Sequence, residues 1–426
     1  MVSENNFALS EKEKEVLLDR FIRYCKVNTR SSDESGTYPS TAEQWDLLRM
    51  LKTELEGMGL EKVELDDNGY LFASLKATQG FEDAPAIGYL AHVDTYPGTS
   101  GSNVNPQVIR NYPGGPITVS TEPPVVITEE DSPDLARLKG HTLITTDGKT
   151  LLGADDKAGV ASIMEMLDFF LKNPGVPHGT VKIGFTPDEE TGRGTQYFDV
   201  AKFGAKAAYT VDGSLIGEIE TETFCGDSAT VTVTGYDIHP GLAKGKMKNA
   251  VRVASDFINR LPADRLPETT EKRESYVHPI AFGGEVGQVQ VKFIIRGFTV
   301  SDLLEREEDI KRAAAETEKD WPGVKIEVEI IKGYRNMKEV LDTYPKIVNL
   351  AKEAVKRSGV EPFEGSIRGG TDGSQLSFMG LPTPNVFNGA LCFHGVKEHI
   401  SLEWLAKSCE TIRWLTRLWA EEKDIK

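Results

Sequence analysis

Histidines and carboxylates able to hold a metal ion recur in this chain where apolar runs stop. His92 and Asp94 follow the run 86–91 and stand two residues apart, a spacing that on a strand puts both on one side. The carboxylate could then hold one ring nitrogen and leave the other, made more basic, for a metal. Asp155 and Asp156 precede the helical pattern 157–171. The helix dipole favours one acid there as a cap, and two exceed that need. After the run 181–186 come Asp188, Glu189 and Glu190. Adjacent side chains diverge, so one glutamate can bind metal while its neighbour faces a water molecule, as a metallohydrolase requires. Asp212 ends the run 207–211, and His394 lies far downstream in Cys-Phe-His-Gly. Taken singly, each also reads as a helix cap, a solvated turn or a strand-end histidine. Together they form an imidazole and carboxylate set suited to zinc, cobalt or manganese. Two histidines with three or more carboxylates exceed the needs of one open zinc, so two ions bridged by a carboxylate are the economical arrangement.

The elements that must position these residues read as an α/β sheet covered by helices, because buried-strand patterns alternate with helical ones such as 157–171. Helices are expected after Ser10, which begins a capping-box pattern with Glu13, from Ser40 or Thr41 onward, and at the carboxyl end through Trp419. Residues 97–133, rich in Pro, Gly, Ser and Asn, read as loops with short strands. Between 224 and 332 the order becomes strand, helix, strand, strand, helix, strand, a ferredoxin-like pattern. The 426-residue chain thus divides into a discontinuous catalytic domain, 1–223 with 333–426, and an inserted α+β domain, 224–332. The net charge of −17 disfavours nucleic acid or an anionic membrane as partner. No run approaches the ~18 apolar residues of a membrane span, and the first residues carry no targeting pattern, so a cytoplasmic protein is expected. The four cysteines form no CxxC pair and read as reduced and mostly buried.

In order, the chain contains His-Val-Asp-Thr, Leu-Leu-Gly-Ala-Asp-Asp-Lys-Ala-Gly, Phe-Thr-Pro-Asp-Glu-Glu, Val-Asp-Gly, His-Pro-Gly-x-Ala-Lys-Gly and Arg-Gly-Gly-Thr-Asp-Gly. This ordered set, over essentially the whole chain, resembles the M20 metallopeptidases, and among them the tripeptide aminopeptidases. The resemblance implies a zinc-peptidase-like mixed sheet flanked by helices, with the inserted domain as a lid and dimerisation module. It implies two zinc ions per subunit, with cobalt or manganese as possible substitutes. One would be held by His92, Asp155 and Asp212 and the other by Asp155, Glu190 and His394, with Asp155 as the bridge. Asp94 would orient His92, and Glu189 would be the general base on a water shared by the two ions. His239, Asn249 and Arg296 of the inserted domain and Arg368 of the catalytic domain would contact substrate. Asp212, where carboxypeptidase-like members often carry Glu, implies release of the N-terminal residue from tripeptides, and the inserted domain implies a homodimer. Thr191 and Arg193 depart from residues common at those positions and bear on side-chain preference. Two other readings stay open at this point: another M20 amidohydrolase or dipeptidase, and a catalytically silent peptide-binding homologue.

Overall fold

A strand that is largely apolar on both faces needs cover on both, and three such runs form the centre of the larger sheet. In a computed structural model of the protein, which describes residues 7–425, Ile87–His92 is buried along its whole length. It pairs in parallel with Val181–Thr186 on one side, placing His92 opposite Thr186. On the other side it pairs in parallel with Ala207–Gly213, where Tyr89 faces Tyr209. The hairpin Glu61–Leu65 and Leu71–Leu75 extends one edge, antiparallel to Val181–Thr186. Asn385–Phe387, Glu218–Thr223 and Phe363–Ile367 extend the other, completing eight strands. The sheet is therefore mixed, as expected for the fold class.

Helix Ala154–Lys172 packs on the two central parallel strands, with Leu402–Trp419 against it. It is buried nearly all round, which its apolar composition permits. The first helix, Glu11–Cys25, starts with the reciprocal Ser10 and Glu13 capping bonds. The second begins at Gln44, later than Ser40 or Thr41, for a reason that lies at the candidate site. Within 97–133 the short strands are Gln107–Ile109, Ile117–Thr121 and Pro124–Ile127. A small four-stranded sheet pairs Ala390–Leu391 with His399–Ser401, then Leu143–Thr145 and Gln107–Ile109. It anchors both ends of the loop that carries His394.

By contacts the chain falls into two units. One holds the chain up to Thr221, Glu339–Gly365 and the chain from Thr371 on. The other comprises Glu222–Lys338 and Ser366–Gly370 and has its own apolar core around Val231, Phe257, Val291 and Ile310. Its strands run Cys225–Thr234, Tyr276–Gly284, Gln288–Gly297 and Lys325–Lys332, with helices Ala250–Asn259 and Val300–Asp320 between them. In sheet order the second strand is followed by the third, the first and the fourth. Residues 366–370, read from sequence as part of the catalytic domain, group with this second unit. The reason is local: Phe224 N–H donates to the carbonyls of Ile367 and Gly369.

Candidate metal centre

The first unit gathers its acids and histidines at the carboxyl ends of the parallel strands, where α/β sheets build their sites. His92 ends its strand with 2% of its side chain exposed. Its Nδ1 lies 3.0 Å from the Asp94 carbonyl oxygen and 3.4 Å from the Asp94 carboxylate, so the carbonyl is the nearer partner. The buried Asp94 carboxylate turns mainly elsewhere. Its Oδ1 accepts from Glu189 N–H at 3.0 Å and its Oδ2 from Glu190 N–H at 3.2 Å. One residue thus ties the end of a strand to the turn Glu189–Thr191.

Asp188 starts that turn at φ 59° with its carboxylate buried. It accepts from Ser40 N–H and Gln44 Nε2, each at 2.7 Å, and from the Ser40 hydroxyl. Ser40 therefore braces the turn rather than capping a helix, which explains the late start of the second helix.

Asp155 opens helix Ala154–Lys172 with each oxygen facing a different imidazole. Oδ1 is 3.0 Å from His92 Nε2 and Oδ2 is 3.1 Å from His394 Nε2. Asp212, in strand Ala207–Gly213, lies 3.6 Å from His92 Nε2, and Glu190 Oε2 lies 3.0 Å from His394 Nε2. Two three-donor groups result, His92 with Asp155 and Asp212, and Asp155 with Glu190 and His394; within each, the donor atoms lie within 4.8 Å of one another. Asp156 does something different. Its Oδ1 accepts from Gly159 N–H at 3.0 Å and Asn388 Nδ2 at 2.9 Å, so it caps the regular part of the helix, which begins after the non-helical Asp155 and Asp156.

Burial and mutual repulsion raise the proton affinity of most of these acids. Burial, with the Asp155 charge next, pushes Glu190 up to about 8 against the pull of His394. Burial also lifts Asp212 to about 6, opposed by His92 and reinforced by Asp155. Glu189 is held well above the usual carboxylate range by burial, opposed by His92 and reinforced by Asp212, Asp372 and Glu190. Asp155 goes the other way: burial alone would raise it, but hydrogen bonds with His394 and His92 hold it ionised. Both imidazoles are raised, since burial, which would lower them, loses to the surrounding carboxylates; His394 reaches about 10. Glu190 Oε1 is buried without a hydrogen-bond partner. A crowd of carboxylates, an unsatisfied buried oxygen and two imidazoles, with no thiolate among them, fit divalent cations of the zinc type.

Sequence reasoning missed Glu398. Its buried carboxylate accepts from the N–H groups of Leu152 at 2.6 Å, Gly153 at 2.8 Å and Asp155 at 3.1 Å, fixing the backbone that presents Asp155. It also missed Asp372, which accepts from the Thr186 hydroxyl at 2.9 Å. The only sequence signal for Glu398 is its place four residues after His394. His399, weighed as a rival ligand, is buried with Nδ1 at 2.8 Å from the Lys397 carbonyl and belongs to neither donor group.

The remaining expected residues lie in the second unit. His239 is exposed, and its Nδ1 accepts from Gly241 N–H at 3.2 Å. Asn249 caps helix Ala250–Asn259 through Val251 N–H and Arg252 N–H. Arg296 donates to the carbonyls of Asp227 and Ile295 and lies over the Tyr334 ring. Arg368 donates to the carbonyls of Lys272 and Glu274 and to Thr270 Oγ1.

Residues 137–417 match the model of the family described as Peptidase family M20/M25/M40. A protein named Peptidase T from Geobacillus kaustophilus is 48% identical over 409 residues, spanning 96% of this chain and 99% of that one. The chain belongs to peptidase family M20. As an M20 member it is a peptide-hydrolysing enzyme of a metal-dependent family. Among solved structures, an aminopeptidase PepT from Bacillus cereus superposes with a TM-score of 0.73 at 24% identity, covering 96% of this chain and 99% of that one. The YXEP protein of Bacillus subtilis, titled a dinuclear metal binding peptidase from the M20 family, gives 0.64 at 15%, with 96% and 98% covered. At these identities the M20 likeness in structure is one of fold. None of the helices among the described residues is long and apolar enough to cross a membrane.

Proposed function

We propose that this M20 peptidase is a dinuclear zinc aminopeptidase of the cytoplasm that removes the N-terminal residue from tripeptides. The observation that carries the reading is Asp155, whose two oxygens face His92 and His394 at 3.0 and 3.1 Å. A bridging carboxylate has that geometry. The names Peptidase T, borne by the Geobacillus kaustophilus relative, and aminopeptidase, borne by the Bacillus cereus protein, support a peptide substrate and attack at its amino end.

His92, Asp155 and Asp212 would hold one ion, and Asp155, Glu190 and His394 the other; cobalt or manganese could replace zinc. Held there, such ions would supply polarisation of the scissile carbonyl and a lowered pKa for water. The chain supplies the rest. Asp94 fixes the backbone of Glu189 and Glu190 and lies beside His92. Glu189 takes a proton from the attacking water at its carboxylate and returns it to the amine nitrogen as the C–N bond breaks. Burial, reinforced by Asp212, Asp372 and Glu190 and opposed by His92, already raises its affinity for that proton.

In the second unit, proposed as the lid, His239 accepts at Nδ1, so its neutral form carries the proton on Nε2, a donor suited to the oxyanion. Asn249, Arg296 and Arg368 are proposed substrate contacts, the arginines for the peptide carboxylate. The outer strand Tyr276–Gly284, with Ile280 and Phe282 exposed, offers an edge for self-pairing and supports a homodimer.

The test is hydrolysis of Ala-Ala-Ala before and after chelation and zinc add-back, with the first product identified. Free alanine and Ala-Ala are expected, and no cleavage of the N-acetylated peptide. Cleavage of the blocked peptide would point to another M20 amidohydrolase. Failure of any metal to restore cleavage of any small peptide would point to a silent binder.

A further inference from the structure

His394 differs from the other candidate ligands in how it is held. Its side chain is 37% exposed, against 2% for His92, so burial does little to fix it. Its backbone sits at φ 68°, a left-handed conformation that a residue with a Cβ keeps only where its surroundings impose it. Two residues of the loop after strand Ile87–His92 impose it here. The Tyr96 ring lies flat on the imidazole, with centroids 4.3 Å apart and planes 1° from parallel. Thr99 Oγ1 donates to the His394 carbonyl at 2.7 Å. The stack sets the plane of the ring, and the hydrogen bond sets the backbone from which it projects. Together they aim Nε2 at Asp155 Oδ2 and Glu190 Oε2. His92 needs no such brace, because its strand and the Asp94 carbonyl already hold it.

We propose that Tyr96 and Thr99 are positioning residues for His394 and set the affinity of the metal position formed by Asp155, Glu190 and His394. The position formed by His92, Asp155 and Asp212 has its histidine held by its own strand and is linked to them only through the shared Asp155. The inference rests on the two-metal reading above.

Chelator-stripped full-length protein is titrated with zinc by calorimetry and with cobalt by visible absorption, so that binding is read apart from activity. Two sites are expected in the unaltered protein. Tyr96→Ala weakens one of them about 10- to 100-fold, the range for residues that orient a metal ligand, and changes the other far less. Tyr96→Phe keeps the ring and stays within about twofold of the parent. Thr99→Val, which keeps the shape but not the donor, weakens the same site several-fold. Urea unfolding of each metal-free variant tests that it folds. Two unchanged sites in both Tyr96→Ala and Thr99→Val overturn the proposal, as does equal weakening of both sites. An unaltered protein that binds one ion or none overturns the two-metal reading itself, and the inference falls with it.

Discussion

Glu189 and Glu190 are neighbours whose N–H groups share one acceptor, Asp94, yet their carboxylates face different tasks. Only Glu190 lies in a donor group, 3.0 Å from His394. Glu189→Gln should therefore keep the bound metal, by elemental analysis, and lower kcat by about 10²- to 10⁴-fold, the share of a general base. Asp155→Ala should lose metal as well as activity, because it belongs to both groups. An active, metal-replete Glu189→Gln enzyme would falsify the assignment. Residues with paired chemistry were legible in the sequence, since histidines and acids at the ends of apolar runs declare themselves. Glu398 was not, because its partners are backbone N–H groups more than 240 residues away, which no side-chain pattern reveals. Glu398→Ala leaves those three donors unpaired and should destabilise the metal-free protein by about 3 kcal/mol or more in urea unfolding, with Glu398→Gln between it and the parent.

At the scale of elements, the strands were legible because 86–91, 181–186 and 207–211 are largely apolar, with Lys182 the one charged residue among them, as strands covered on both faces tend to be. The start of the second helix was not legible, because Ser40 and Gln44 bond to Asp188, 144 to 148 positions away, and local capping loses to that. The fit between helix Ala154–Lys172 and its sheet also escapes a sequence reading, and two glycines make it measurable. A Cβ on Gly159 would lie 2.2 Å from the Val211 carbonyl oxygen and 2.4 Å from Asp156 Oδ1, both part of the frame around Asp212 and Asp155. Gly57, the last residue of helix Gln44–Gly57, would meet nothing within 4 Å. Gly159→Ala should cost about 1–3 kcal/mol and reduce activity by displacing the neighbouring strand. Gly57→Ala should stabilise by about 0.5–1 kcal/mol with activity unchanged. Unfolding curves of the two variants should therefore move in opposite directions from the parent.

For the whole molecule, the net charge of −17 hides a local imbalance that couples metal, proton and stability. Most of the acids are solvated, but Glu189, Glu190, Asp212 and Asp155 meet inside one buried site. In the metal-free protein Asp212 and Glu190 are raised to about 6 and about 8, so the folded form binds more protons than the unfolded form above the ordinary carboxylate range. The His394 imidazole, raised to about 10, acts in the same direction: its stabilisation is complete below the ordinary histidine pKa and is lost as pH rises toward its folded value. Asp155, held low, is ionised in both states across this window and adds no slope. Since stability falls with pH wherever the folded state holds the extra protons, Asp212 contributes up to about pH 6, and Glu190 and His394 should make the chelated protein melt at progressively lower temperature from about pH 6 to 10. Bound zinc takes the place of those protons, so its ligands ionise without penalty and the zinc-loaded protein should lose most of that slope. The difference in melting temperature between zinc-loaded and chelated protein should accordingly widen as pH rises. Metal affinity should rise in the same direction, because binding releases protons. Parallel melting curves for the two forms over this range would show that the buried acids and histidines are not the ones that exchange protons for metal.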